Sequence, residues 1–383
     1  MGLKMIKRVI EMKKRTLNAL YSVIAIILTI ALAACGSTSK PADQAKSSTD
    51  KAGTSNTSPV TYDGPDRQQK LEEGAKKEGT LTWYTSLTET VANPLVKKFN
   101  EKYPFIKVEI YRADAVNLTQ RVIQEAQAGR NVVDMLETNQ DTVLLLKDQG
   151  LITPFYSANA NKMPEKLRDV AEGKLVWDAK DRVSYVAFGY NMKSIPSTAE
   201  PKKMEDLLNP ELKGKISLST STTGVRWVGS VLNLMGETEG KKFLQKLSEN
   251  QNIKVEAASP IALMGMVAHG EIATSPNIFQ NHVEAEIAKG SAVKWIPVEP
   301  VVLNWGNLIV SSKALHPNAT MLFIEFLLSE EGQAEYKKLG YSSPSAPVNF
   351  KTWDPESVAK NSKEYEQEYR KWQQLFNENF MKK

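Results

Sequence analysis

Apolar residues fill positions 17–32 almost without a break, nearly vanish over 36–65, and return from about residue 80 in two alternating rhythms. LTWYTS at 81–86 reads as a strand, Val91, Leu95 and Phe99 then recur at helical spacing, and VEIYRA at 108–113 is strand-like again. VIQEAQAG, NVVDMLE and TVLLLKDQG continue the alternation, which is the pattern of a parallel α/β sheet. RVSYVAFGYNM at 182–192 predicts a strand leading away from this first group. Beyond it, KISL, a polar loop and a helix carrying Val228, Val231, Leu232 and Met235 before Gly236 begin a second group. The stretch 259–270 predicts a helix with Ser259 as N-cap, Pro260 in the first turn and Gly270 just past the end. Two helices broken near Ser329 are predicted over 318–340. Tyr365, Tyr369, Trp372 and Phe376, spaced four, three and four apart, mark a C-terminal helix that docks on a core.

Length and charge change how the two ends of this pattern are read. About 320 residues follow position 65, more than one core of ~100–200 residues serves, so two domains are expected. The first apolar run follows Lys4, Lys7, Arg8, Lys13, Lys14 and Arg15, and 1–34 therefore reads as a secretory signal. Cys35 stands directly after it and is the only cysteine among 383 residues. A single thiol forms neither an internal disulfide nor a cysteine metal site. The segment 36–65, crowded with Ser, Thr, Lys, Ala and Pro, buries too little to offset its ordering entropy and reads as a flexible tether. The signal's basic residues, net of Glu11, account for the whole formal charge of +5, leaving the remainder about neutral. A basic nucleic-acid face is not expected, and no repeat or later membrane-spanning segment is visible.

Leu32-Ala33-Ala34-Cys35 resembles the lipobox of bacterial lipoproteins, in which cleavage leaves the cysteine as N-terminus with a diacylglyceryl group on its sulfur. WYTSLTETVANPLVKKFNEKYP, VVDMLE, VAFGYNMKSIP, DLLNPELKGKISL, AHGEIA and HPNATMLFIEFLLSEEGQAEYKKLGY resemble the extracellular solute-binding proteins of ABC importers. The likeness is to the branch of ferric-iron, organophosphate, phosphonate and thiamine binders, over about 80–347. It implies an α/β, two-lobed type II periplasmic-binding-protein fold with the ligand cleft between lobes. Crossovers are expected near 182–192 and 296–306, with a later passage near 342–347. The expected organisation is signal peptide 1–34, lipidated Cys35 and tether 35–65, lobe 1 over 66–185, lobe 2 over 186–299, a return to lobe 1 over 300–345, and a C-terminal helical segment 346–383 on lobe 2. The implied partners are a small solute, an ABC permease and ATPase, and the outer face of the bacterial cell membrane through the lipid. A monomer without cofactor, metal or nucleic acid is expected.

Three loop-to-helix transitions supply candidate ligand groups. Tyr84 to Glu89 contains Ser86 and Thr88, with Ser86 and Glu89 at capping-box spacing. Pro94 leaves a second start open at Asn93-Pro94, which would make 86–92 a cleft loop. Ser221 to Arg226 offers the hydroxyls of Thr222 and Thr223, a close backbone approach at Gly224 beside Val225, and the charge of Arg226. Ser259 is the third. Plain capping explains each singly; three together on this fold point to an anion cleft. The resemblance implies a similar Thr-Ser-Gly segment around a synergistic anion, with Ser259 matching a polar residue that helps hold it. It puts Asn139 at a carboxylate position and Gln280 and Asn281 about where ferric binders carry adjacent tyrosines. No Tyr-Tyr pair occurs in the chain.

Hydroxyl and amide donors, with His282 nearby and Trp305 on the return segment, suit an oxygen-rich anionic solute, phosphorylated or carboxylated. Ferric iron or an iron chelate is the alternative, and cationic thiamine would use the aromatic faces of Tyr84, Trp227 and Trp305. An enzyme is disfavoured, since the chain has no Gly-x-Ser-x-Gly, Walker or His-Glu-x-x-His motif and His269, His282 and His316 lack metal spacing. A surface adhesin or sensory protein would carry an extra module or an extended apolar face, and neither is seen.

Overall fold

The computed structural model describes residues 58–359 and 361–381; Cys35, the signal and most of the expected tether lie outside the described residues. The first group of elements is α1 (Arg67–Glu78), β1 (Thr80–Thr85), α2 (Glu89–Lys102), β2 (Lys107–Arg112), α3 (Ala115–Gln127), β3 (Met135–Thr138) and α4 (Gln140–Asp148). β1 pairs in parallel with β2 and with β3, as the alternating sequence predicts. Short strands β4 (Ile152–Thr153) and β5 (Phe155–Tyr156), helix α5 (Ala158–Lys162) and β6 (Arg168–Glu172) lead into β7 (Leu175–Asn191), which begins earlier than the predicted exit strand. The second group is β8 (Ser217–Ser219), α6 (Thr222–Met235), α7 (Glu237–Gln251), β9 (Lys254–Glu256), α8 (Pro260–His269), β10 (Thr274–Phe279), α9 (Gln280–Ala288) and β11 (Val293–Ile296). β12 (Val301–Ser311), α10 (Pro317–Leu327), α11 (Glu330–Lys338), β13 (Thr352–Trp353) and α12 (Ser362–Phe376) follow; α10 and α11 rejoin the first group by packing on its core, and β13 and α12 pack on the second.

β7 and β12 run antiparallel side by side and serve both groups. The start of β7 pairs with β5 and β6 and its end with β10 and β11. β12 pairs with β13 at its start and with β3 and β4 at its end. The sheet is thus continuous, yet its two ends belong to different cores. One core gathers Trp83, Leu95, Phe99 and Phe323, with Trp83 and Phe99 edge-on to Phe323 at 5.0 and 4.8 Å. The other gathers Phe188, Val228, Val231, Leu247 and the α12 residues Trp372 and Phe376. Among the described residues no helix is long and apolar enough to cross a membrane.

Local signals set many element ends. Ser259 Oγ accepts from the Ala262 N–H, and Gly270 at φ 77° takes the left-handed conformation that closes α8. Ser329 caps α11 in the same way.

Two segments differ from their sequence reading. The tether expected to run to residue 65 ends earlier: Val60, 6% exposed, joins the first core. Arg67 holds this segment by donating to the carbonyls of Pro59, Tyr62 and Tyr156. Composition missed it because a single apolar residue, Val60, and one buried guanidinium fix it. α2 starts at Glu89 with Thr88 as N-cap and runs through Pro94, so Ser86 and Glu89 form no capping box and no long loop precedes Asn93. The N–H that Pro94 lacks would have met the carbonyl of exposed Thr90, where water can take its place.

Candidate functional site

In open α/β sheets, ligands gather outside the carboxyl ends of strands, where helices begin. Here β1, β2 and β3 lead into α2, α3 and α4, while β8, β9 and β10 lead into α6, α8 and α9. Contacts show that these edges face one another. Arg226 in the second turn of α6 donates to Asp141 in the first turn of α4 at 3.0 and 3.2 Å. Gly340, after α11, approaches the start of α9 so closely that a Cβ there would lie 3.4 Å from Asn281 Cβ. Beside this approach a cavity of about 240 Å³ is lined by residues of both groups, including Ser184, Tyr185, Gln280, Asn281, Lys337 and Tyr341. A cavity of about 350 Å³ under Asp63 to Leu71 is lined by the first group alone and does not straddle the crevice.

The helix starts along these edges differ in how their free N–H groups are met. Asp114, Asn139 and Ser259 cap α3, α4 and α8 with side-chain oxygens. α2, α6 and α9 have no side-chain cap. At α6, the N–H groups of Gly224 and Val225 turn inward to the Ser221 carbonyl at 3.0 and 3.2 Å. Those of Thr222 and Thr223 precede them at the open end. Ser221 Oγ and Thr223 Oγ1 lie 2.9 Å apart, and Asn277 Nδ2 donates to Thr223 Oγ1 at 3.4 Å. Two expectations change here. The close approach at Gly224 is to the protein's own Ser219 carbonyl, with which a Cβ would collide. Val225 is a core residue whose N–H is already used.

Two buried charge networks lie between the edges. At the crossing, Glu137 accepts from Arg182 Nη2 at 2.6 Å, Thr85 Oγ1 at 2.8 Å, Ser86 N–H at 3.1 Å and Ser86 Oγ at 3.0 Å. The register of β7 against β12 slips at Asp181, between the pairs Arg182–Gly306 and Lys180–Asn307. The Tyr336 hydroxyl donates to Asp181, and burial, then the Glu137 charge, push Asp181 up to about 7. A Cβ on Gly306 would meet the Asp181 carboxylate, Arg182 Cγ at 2.7 Å and Glu137 Oε1 at 2.8 Å. The second network centres on Arg226. Its Nε donates to the Tyr365 hydroxyl at 3.0 Å and its Nη1 to Asn304 Oδ1 at 3.3 Å. Glu356 lies 3.6 Å from Arg226 and 3.6 Å from Lys180. Burial pushes Glu356 up to about 7 against the pull of both cations.

The expected site residues therefore separate. Ser86, Thr88 and Asn139 stand on the first edge, and Thr222, Thr223, Ser259, Gln280 and Asn281 on the second. Three others are turned elsewhere. Tyr84 is buried in the first lobe, its hydroxyl donating to Glu125 at 2.8 Å and accepting from Arg121 at 3.0 Å. Burial, then that bond to Glu125, push its phenol up to about 12. Trp305 packs with Val183 and Tyr185 and donates its indole N–H to Asp354 at 2.9 Å. Arg226, expected to supply charge to a solute, has all three nitrogens on protein acceptors. His282 packs on Phe279 at 5.0 Å, and burial lowers it to about 4. Among the described residues no group of three or more His, Cys, Asp or Glu is placed to hold a metal ion. Sequence reasoning missed Asp141, Arg182 and Glu356. The run Lys180-Asp181-Arg182 inside an otherwise apolar strand was a usable signal for the crossing network, since buried charges need partners.

A continuous sheet with two cores, and a polar crevice between facing strand ends, defines a two-lobed binding protein of the type II periplasmic class. Residues 94–363 match the family of bacterial extracellular solute-binding proteins, and the chain belongs to that family. Among solved structures it is similar to the substrate binding protein of an ABC transporter from Agrobacterium tumefaciens, with TM-score 0.66 and 17% identity over 79% of this chain and 96% of that one. It is also similar to the periplasmic binding protein AfuA from Actinobacillus pleuropneumoniae, a structure with fructose-6-phosphate bound, with TM-score 0.62 and 20% identity over 80% and 100%. Iron-bound HitA from Pseudomonas aeruginosa gives TM-score 0.61 and 19% identity over 76% and 99%. These likenesses are of fold. No match was found among curated proteins.

Proposed function

We propose that this solute-binding protein captures a small anionic solute, phosphorylated or carboxylated, in the interlobe crevice and delivers it to the permease of an ABC importer. In this reading a lipid on Cys35 holds the monomer at the outer face of the bacterial cell membrane. One observation carries the ligand class: α6 and α9, both at strand ends facing the other lobe, begin without a side-chain cap. Such helix starts present free N–H groups and the positive end of the helix dipole, which favour an anion. The hydroxyl of Thr222 and the amide of Asn281 lie at the same starts and provide further donors, and the amide of Gln280 joins them when it leaves its exposed bond to Glu284 at 2.9 Å. Arg182 and Arg226 are already neutralised by carboxylates, so the anion's partners here are mainly N–H groups and amides. Gln280 and Asn281 stand where ferric binders carry tyrosines, which argues against bare iron as the cargo. The work is done by closure and without covalent chemistry: solute binds the closed arrangement better than the open one and shifts the population toward it.

The melting temperature of the full chain tests this reading against phosphate, organophosphates, phosphonates, ferric citrate, thiamine and polyamines. A ligand at 100 times its dissociation constant adds about 2.7 kcal/mol. An upward shift with one anionic class is expected; a shift with only thiamine, a polyamine or ferric citrate would overturn the ligand class. The anchor has its own test, since Cys35→Ser should release the protein from the membrane or leave the signal uncleaved. Unchanged retention with normal processing would contradict it.

A further inference from the structure

Arg226 has the sequence context of an anion ligand and the surroundings of a tie. Its side chain is 1% exposed, and its cross-lobe partner Asp141, 31% exposed, sits in the first turn of α4 beside the cap Asn139. Of its other partners, Asn304 lies on β12, and Tyr365 and Glu356 come from the C-terminal segment, which packs on the second core through the contact of Trp353 with Trp372 at 5.4 Å. Glu356 continues the path to Lys180, on the part of β7 that pairs opposite Asn307 in the first lobe. Lys180 in turn donates to Gln140 of α4 at 3.3 Å. The path leaves α4 through Asp141, passes through α6 and the C-terminal segment, and returns to α4. Neither oxygen of Glu356 accepts a hydrogen bond, so the two cations at 3.6 Å are what balance its charge.

We propose that Arg226 is a positioning residue of the crevice: through Asp141 it ties the first turn of α4 to the second turn of α6 across the lobes and sets their separation before solute enters. The inference rests on the two-lobed fold and not on the class of solute. When the lobes part, Arg226, Tyr365 and Glu356 travel with the second lobe, and the path is cut at two places, the 3.0 Å bond of Arg226 to Asp141 and the looser 3.6 Å contact of Glu356 with Lys180. The partly exposed carboxylate of Asp141 can then take water in place of the guanidinium, so the closer of the two contacts parts at a group that is already partly hydrated. Holding the lobes near closure reduces the population shift that solute must supply.

The test is a solute-free distance measurement on the full chain carrying Cys35→Ala, with nitroxide labels at Val116→Cys on α3 and Ile261→Cys on α8, both exposed positions on opposite edges. Electron–electron double resonance then reads the interlobe distance. Asp141→Asn and Arg226→Gln should each shift the distribution outward, the double variant should go no farther than the larger single shift, and Arg226→Lys should recover part of it. An unchanged distribution in a cooperatively melting Asp141→Asn variant overturns the proposal, as does opening by Arg226→Gln alone. If Arg226→Gln does not fold, Asp141→Asn still decides, because a partly exposed helix acid is replaced by a near isostere. No ligand enters this measurement, so failure of the anionic-solute reading leaves its outcome untouched.

Discussion

The two buried charge networks join the same pair of lobes but are built to different tolerances. Around the bulge at Asp181, four donors converge on Glu137 at 2.6 to 3.1 Å and Gly306 leaves no room for a methyl group. Around Arg226 the ionic contacts run from 3.0 to 3.6 Å, and Asp141 remains open to water. The first network is centred on the crossing strands β7 and β12, the second on α4 and α6, which belong to one lobe each, and it touches the crossing strands only at Lys180 and Asn304. A crossing must keep its geometry while the lobes move about it, whereas a tie must be able to part. Burial of charge therefore does two jobs here: it fixes one place and leaves the other reversible.

The largest effect is expected at the crossing. Arg182→Leu leaves Glu137 and Asp181 buried without their cation and should cost about 3–5 kcal/mol in urea unfolding. A loss below about 1 kcal/mol would make the crossing no tighter than the tie, against the comparison. Glu356→Gln should instead change how stability depends on pH. Folded Glu356 sits at about 7, above its ordinary 4.5, with Lys180, Arg226, Asp354 and Asp141 as its charged neighbours. Between those values the folded state holds a proton that the unfolded state has released, so its contribution is favourable below about 4.5 and is lost as pH rises to about 7. Relative to wild type, Glu356→Gln should gain in melting temperature across that window and level off above it; parallel curves would contradict the assignment. A smaller change, about 1 kcal/mol, is expected for Asp141→Asn, because its pair is partly exposed and Arg226 keeps Glu356. Smallest is Tyr84→Phe, which removes a hydroxyl from inside the first lobe but leaves Arg121 and Glu125 paired with each other; it should cost about 0.5 kcal/mol and leave solute capture unchanged.

How much of this was legible in the sequence depends on the range of the interaction. Ser259, Gly270 and Ser329 were readable because a cap is decided by residues three or four apart. The aromatic stripe of α12 was readable as a docking face, and Trp372 and Phe376 do enter the second core. Pro94 misled, because the cost of proline in a helix depends on whether the orphaned carbonyl can reach water, which sequence does not record. Arg226 misled for another reason. Its place in the first turns of a helix after Thr-Thr-Gly fits an anion site, but Asp141 is 85 residues away and Glu356 farther still. Tyr84 and Trp305 failed likewise: an aromatic residue at a strand end can face either the crevice or the core, and only the partners Glu125 and Asp354 decide.

The measurement that bears most directly on the central claim is the heat of binding of the full chain with organophosphate, carboxylate and cation series at pH 7, repeated on a Thr222→Val, Asn281→Leu variant. The account expects saturable one-to-one heat from an anion class, weakened in the variant while its melting temperature stays near that of wild type. Saturable heat from a polyamine or thiamine, with none from the anions, would contradict it.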